Sequence, residues 1–256
     1  MTIKAIIHKS CRSVQSAPLQ TVLVLNVAVY VALKALWLAG GESGIFDRTV
    51  NATVIENSFA GMLAHPWSVA TYAFVHLDFL HLLVNMLWFA CFASVICAVR
   101  DRRNVWWLYL TGAVAGALAC MAVGGITFGL TRMAGASAAV MCILGAALAY
   151  APRYRIKVAL IGDVPLVVVA AVGGLCLFTE TGVSMAAHVA GLAAGVTWGL
   201  SWRRSQRQVR RVTREAMIRE SARKALLDKA RTLGYASLSQ TERIQLFDMS
   251  NGFKKD

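Results

Sequence analysis

The sequence has few charged residues and, among them, few acidic ones. Only 15% of its 256 residues are Asp, Glu, Lys or Arg, whereas 57% are hydrophobic. Lys and Arg outnumber Asp and Glu by 26 to 13. A water-soluble domain of this length needs a more polar surface, so the composition excludes an ordinary soluble globular protein.

Cysteines are scarce outside the apolar segments, and their spacing is not that of metal ligands. Cys11 lies in the polar N-terminus, and the others lie within apolar stretches: Cys91, Cys97, Cys120, Cys142 and Cys176. Thiols in such surroundings behave as small hydrophobic side chains. We therefore predict no disulfide framework, no metal site and no cofactor.

The apolar residues stand in long continuous segments and not in alternation. A helix needs roughly 20 mostly apolar residues to cross the hydrocarbon core of a bilayer. No A-x-A-like cleavage site follows the first segment, which indicates a retained span and not a signal peptide. Six segments approach or reach the required length: 19–40, 79–99, 106–126, 135–151, 158–178 and 184–202. We predict an all-α membrane protein with a six-helix bundle.

The distribution of basic residues predicts how the helices are oriented. Lys and Arg cluster near the N-terminus, between the second and third spans, between the fourth and fifth, and after Trp202. Basic loops stay on the cytoplasmic side, so both termini are predicted to be cytoplasmic. We expect the protein to lie in the inner (plasma) membrane. The net charge of +13 is thereby explained without nucleic acid as a partner. The predicted parts are a cytoplasmic N-terminus (1–18), a membrane domain (19–202) and a basic cytoplasmic tail (203–256).

Four polar side chains within the predicted spans are candidates for function, because polar groups in apolar helices are costly. His81 and Asn85 share one face of the second span, Ser137 begins the fourth, and His188 lies about one turn into the sixth. Taken alone, Ser137 is better explained by packing or a bond to its own backbone, and the histidines and Asn85 nearly as well by hydrogen bonds between helices. These three spans all run inward from the outer surface, which puts the four groups within roughly 10 Å of that boundary. Their shared depth favours a common site.

These residues, in this order, resemble the rhomboid family of intramembrane serine proteases. The resemblance covers about residues 60–200 and consists of H-x-x-x-N in the second span, G-x-S in the fourth and A-H-x-x-G-x-x-x-G in the sixth. The residues that carry it are His81, Asn85, Gly135, Ser137, Ala187, His188, Gly191 and Gly195. The chain departs from the family pattern at Ala138, where the family usually has glycine, and at Met141, where it often has an aromatic residue.

The chemistry of these residues, taken with the resemblance, predicts a Ser–His dyad. Serine is a weak nucleophile without an adjacent base, and His188 is predicted to take the proton of Ser137. His81, Asn85 and the backbone N–H of Ser137 are predicted to stabilise the oxyanion. The residues predicted to pack around the site are Gly135, Ala138, Met141, Gly191 and Gly195. The resemblance further implies transmembrane protein substrates that approach sideways, and a fifth span (158–178) that moves to admit them.

The tail after residue 202 is basic and has a helical pattern. Ser239 and Glu242 form a predicted capping box that opens a short helix. The basic run is predicted to touch anionic lipid of the bilayer, and a cytoplasmic protein partner is the other interpretation of the tail. Two alternatives for the membrane domain stay open: a catalytically silent rhomboid-like chaperone or binding protein, and a small-solute transporter.

Overall fold

The computed structural model describes residues 17–40, 44–124, 131–158, 161–177 and 182–251. The chain divides into two compact units, Met1–Ser201 and Trp202–Asp256. The prediction for the polar N-terminus falls on residues 1–16, outside the described part of the chain, and on the first residues of the first helix.

The first unit is built mainly of helices, with two short antiparallel strand pairs. Strand β1 pairs with β2, with Ile55 opposite Met133, and β3 pairs with β4, with Lys157 opposite Asp163. In chain order the elements are α1 (Ala17–Gly40), α2 (Ile45–Thr53), β1 (Ile55–Glu56), α3 (Phe59–Ala64), α4 (Ser68–Thr71), a 3-10 turn (Tyr72–Phe74), α5 (Phe79–Val99), α6 (Asn104–Gly124), β2 (Arg132–Met133), α7 (Ser137–Tyr150), β3 (Arg155–Val158), β4 (Gly162–Pro165), α8 (Leu166–Leu177) and the first part of α9 (Val183–Leu233).

Among the described helices, four are long and apolar enough to cross a membrane: α1, α5, α6 and α9. Helices α7 and α8 are apolar but shorter. The predicted helical membrane bundle is therefore present. The number of six spans and the side of the membrane on which the termini lie stay predictions.

Helix α7 lies inside the bundle and not at its surface. Every residue from Ala138 to Ala147 is buried, and helices α5, α6 and α8 pack against it. A helix that is apolar on all sides is typical of a protein interior. Because its neighbours shield α7 from lipid, its 14 residues need not reach the length of a lipid-exposed span.

The predicted fifth helix (158–178) is wrong in its first part. The chain forms the β3–β4 hairpin there, and α8 begins only at Leu166. Pro165 lacks a backbone N–H and fits ahead of a helix but not inside one. Gly162 has a φ of +93°, which suits the turn of the hairpin. The alternating polar and apolar residues of β3 fit a strand better than a helix.

Buried tyrosines attach the segment before α5 to the helices. The Tyr109 hydroxyl donates to the carbonyl oxygen of Ala73 at 2.6 Å, and Asn26 Nδ2 donates to the Tyr109 hydroxyl at 3.1 Å. The Tyr72 hydroxyl donates to the carbonyl oxygen of Ala113 at 2.9 Å. Buried polar groups without partners are costly, so these bonds hold the 3-10 turn against α6. Held in this position, the 3-10 turn contacts the residues that precede Ser137.

The second unit contains the remainder of α9, a 3-10 turn (Tyr235–Ser237) and α10 (Gln240–Asn251). The predicted capping box is confirmed, because Ser239 Oγ accepts the Glu242 N–H at 3.2 Å and the Glu242 carboxylate accepts the Ser239 N–H at 2.8 Å. Lys229 pairs with Glu242 at 2.8 Å and lowers the pKa of that carboxyl group. These contacts join α10 to the last turns of α9.

Candidate active site

Ser137 and His188 meet although 51 residues separate them in the chain. The Nε2 atom of His188 lies 2.7 Å from the Oγ atom of Ser137. Ser137 is the first residue of α7, and His188 is buried in the second turn of α9. The distance is that of a hydrogen bond between a nucleophile and its base, so the pair has the geometry that proton transfer requires.

Close packing of α9 on α7 brings this pair together. A β-carbon built on Gly191 would collide with the carbonyl oxygen of Ala138, and one on Gly195 would collide with that of Cys142. Any side chain at these two positions would push the helices apart, whereas glycine lets the backbones touch. His188 lies one turn before Gly191. The close contact of α9 with α7, which only glycine permits at that position, therefore also sets the distance from His188 to Ser137.

Gly135 shapes the turn that delivers Ser137 to the start of α7. Its φ of +117° is one that residues with a β-carbon rarely adopt. A β-carbon built there would stand 2.7 Å from Cε1 and 3.0 Å from Nε2 of His81. The His81 ring is therefore seated directly on the backbone two residues before the serine. The structure thus brings His81, predicted to stabilise an oxyanion, to the side of the Ser137 turn.

Asn85, the second predicted oxyanion residue, lies one turn further along α5. It is buried, and its Nδ2 donates to the carbonyl oxygen of His81 at 2.9 Å. Its Oδ1 has no hydrogen-bond partner among the described residues. The contact made by Asn85 is therefore with the helix turn that carries His81, and the amide retains a second N–H.

His76 is a site residue that the sequence did not single out. Its ring is fully buried, and its Nε2 accepts the backbone N–H of Ala136, the residue before Ser137, at 3.3 Å. The ring also packs edge to face on His81, with 5.2 Å between the ring centroids. The carbonyl oxygen of Tyr72 meanwhile accepts the N–H of Gly135 at 2.9 Å. Residues that precede α5 therefore hold the backbone N–H groups of the two residues directly before Ser137.

The two departures from the family pattern have different surroundings. The Ala138 methyl faces α6, where a β-carbon on Gly116 would stand 2.6 Å from it, so a glycine on α6 makes room for the extra methyl. Met141 is fully buried on α7. Asp78, the acidic residue directly before α5, caps this helix by accepting the N–H of His81 at 2.9 Å. This hydrogen bond lowers the pKa of the Asp78 carboxyl group.

Comparison with known proteins places the chain in a family. The Rhomboid domain family model matches residues 63–205, which include every residue of the candidate site. The chain belongs to the rhomboid family. Rhomboid proteins are generally intramembrane proteases, and some members are inactive. No curated protein matches the chain. Within the described residues, no cluster of His, Cys, Asp or Glu has the arrangement of a metal site.

Proposed function

We propose that this rhomboid protein is an intramembrane serine endopeptidase that works with a Ser137–His188 dyad. The observation that carries the proposal is the 2.7 Å contact between His188 Nε2 and Ser137 Oγ. An isolated serine in a membrane helix usually bonds to its own backbone, but this one faces a buried imidazole. A catalytically silent relative would have no need to keep that pair in contact.

In the proposed reaction, the unprotonated Nε2 of His188 takes the proton of Ser137 Oγ. The oxygen then attacks the scissile carbonyl, and the imidazolium returns the proton to the leaving amine. An acyl-enzyme forms on Ser137, and water, activated by the same Nε2, hydrolyses it. For this cycle the neutral ring must carry its proton on Nδ1 at the start.

The negative oxygen of the tetrahedral intermediate needs fixed donors. The Ser137 backbone N–H, at the first turn of α7, points out of the helix and gains from the helix dipole. We propose that the His81 ring N–H and the second N–H of the Asn85 amide complete the set. Removing one such donor lowers kcat by on the order of 10²–10³-fold in serine hydrolases.

We propose transmembrane segments of other membrane proteins as substrates, because the dyad stands near the ends of two apolar helices. Under this proposal the chain crosses a plasma membrane six times with both termini cytoplasmic, as its basic segments indicate. The serine then lies in the outer half of the bilayer. Sideways approach of the substrate is an expectation from the family alone.

Covalent labelling tests the nucleophile directly. The full-length protein, reconstituted in lipid vesicles, is treated with a fluorescent fluorophosphonate, which reacts with activated serines. We expect labelling of the wild type and none of Ser137→Ala. The matched control is Ser94→Ala, whose hydroxyl bonds to the carbonyl oxygen of Cys91 within α5 and which should label fully. An unlabelled wild type, or a labelled Ser137→Ala, would show that Ser137 is not an activated nucleophile.

Cleavage of a model transmembrane segment then separates protease from the alternatives. The wild type should cleave it, and His188→Ala should not, although both bind it. A chaperone or binding protein would bind the segment and leave it intact in both forms. A transporter would neither bind nor cleave it. Binding without cleavage by the labelled wild type would contradict the proposed endopeptidase.

A further inference from the structure

The arginines at the start of the second unit form a one-sided stripe that is exposed from Arg204 onward. Residues 203–214 contain six arginines and neither Asp nor Glu. They lie in a continuous stretch of α9, and every residue from Arg204 to Arg214 is exposed. The stripe consists of Arg203, Arg204, Arg207, Arg210, Arg211 and Arg214.

Helix geometry puts all six arginines on one side. At 100° per residue they fall within an arc of about 120°. Val209 and Val212, which are 62% and 60% exposed, lie on the opposite side. A basic run that served only to hold the topology of the chain would need no particular face. The arrangement therefore indicates a binding surface for something with a row of negative charges.

We propose that this stripe binds the anionic phospholipid headgroups of the leaflet beside Trp202. Guanidinium groups match phosphate oxygens in pairs, which makes arginine better suited to phosphate than lysine is. Glu215, the acidic residue that directly follows the stripe in the sequence, pairs with Arg211 at 2.9 Å, and one carboxylate does not offset six guanidinium charges.

The position of the stripe, directly after a predicted membrane span, favours lipid over other polyanions as its ligand. Arg203 directly follows Trp202, at the end of the apolar part of α9. Tryptophans favour the level of the headgroups, and Trp198 and Trp202 lie one turn apart. At about 1.5 Å per residue, Arg204 and Arg207 follow Trp202 within about 8 Å of helix, which is about one Debye length. A site for nucleic acid would not need to begin at the end of a membrane span.

Lipid analysis of the purified full-length protein tests this proposal. The protein is equilibrated in mixed micelles of phosphatidylcholine and phosphatidylglycerol at equal concentrations, washed, and its bound lipids are quantified by mass spectrometry. We expect a bound phosphatidylglycerol to phosphatidylcholine ratio about threefold or more above that of the micelles. The triple variant Arg204→Gln, Arg207→Gln, Arg210→Gln should bring it close to the micelle value.

A second triple variant removes the same amount of charge elsewhere in the tail. Arg219→Gln, Lys224→Gln and Arg231→Gln leave the stripe intact, and this variant should keep the wild-type lipid ratio. Circular dichroism checks that both variants remain helical. Equal losses in the two variants would overturn the proposal, because they would show a general attraction of the charged tail. The proposal would also be overturned by a wild type that shows no phosphatidylglycerol enrichment, including a wild type that binds transfer RNA instead of the lipid.

Discussion

Gly135 is the residue whose backbone most directly sets the position of Ser137. It has a φ of +117°, and the His81 ring occupies the space that a β-carbon would need. We expect Gly135→Ala to destabilise the fold by about 1–3 kcal/mol through backbone strain alone, and to abolish most fluorophosphonate labelling. Thermal unfolding in detergent and the rate of labelling measure the two effects.

Gly174→Ala is the matched control for that substitution. Gly174 lies within α8, and nothing stands within 4 Å of a β-carbon built there. This variant should unfold at or slightly above the wild-type temperature, because alanine favours a helix, and it should label normally. Normal labelling of Gly135→Ala would show that the turn before Ser137 tolerates a side chain.

The burial of His76 predicts that the folded protein loses stability in mild acid. Burial lowers the pKa of His76 to about 4, and the nearby His81 adds to the shift. Between that value and the ordinary pKa of histidine, the unfolded chain binds a proton that the folded chain does not, so stability falls as pH decreases from about 6.5 towards 4. The full contribution is on the order of 3 kcal/mol.

Unfolding temperatures at pH 7 and pH 5 test this expectation in three proteins. The temperature of His76→Gln should fall less than that of the wild type, since glutamine can accept the Ala136 N–H without titrating. The unfolding temperature of His65→Gln should fall as that of the wild type does, because His65 packs on Trp67 and it is His76 that accepts the Ala136 N–H. An equal decrease in all three would show that His76 is not the group that titrates.

The residues of the candidate site were only partly predictable from sequence. Ser137 and His188 could be named because their polarity is unusual in apolar helices and because the charge asymmetry predicts a shared depth for them. His76 could not, since it lies in a loop where a histidine is ordinarily solvated. Its burial arises from the 3-10 turn that Tyr109 and Asn26 hold against α6. That long-range packing leaves no periodic signal in the sequence.

At the scale of elements, the contact between α7 and α9 controls the dyad. Gly195→Val places a branched side chain against the Cys142 carbonyl and should separate the two helices. A displacement of about 1 Å at a catalytic pair costs on the order of 10²-fold in rate, so we expect a loss of at least that size in cleavage. Initial rates on the model transmembrane segment measure it.

Gly40→Val serves as the control for the α7–α9 contact. Gly40 ends α1, and a β-carbon there meets nothing within 4 Å. The same change of residue type should therefore leave cleavage within about twofold of the wild type, as expected of a surface position. A Gly195→Val protein that folds and cleaves at the control rate would refute the role given to this helix contact.

The elements differ in how well the sequence predicts them. Helix α5 has the predicted bounds, because its apolar run is flanked by Asp78, which caps it, and by Arg100. The β3–β4 hairpin was missed because Val158 and the residues after it continue into the apolar run of α8. Asp163 and Pro165 in that run were the available signals against one long helix, since neither suits a helix interior.

At the scale of the whole molecule, helix length does not determine the number of spans. Helix α7 is buried on all sides, so its length is set by its protein neighbours and not by the thickness of the lipid. Of the described helices, only four meet the length and hydropathy that a lipid-exposed span requires. The prediction of how the chain is oriented therefore rests on the distribution of charge, and it needs a test that is independent of helix length.

Thiol labelling in intact cells provides that test. Cysteines are introduced singly, in a Cys11→Ser background, at Leu63 in α3 and at Ser239 in the tail. The Leu63 side chain is 62% exposed and is predicted to lie outside, and Ser239 is also exposed and is predicted to be cytoplasmic. A membrane-impermeant maleimide should label Leu63→Cys in intact cells and Ser239→Cys only after lysis. Six crossings and cytoplasmic termini require this result, because the basic segments that flank the spans then all lie inside. Labelling of Ser239→Cys in intact cells would reverse the orientation and put the dyad in the cytoplasmic half of the bilayer.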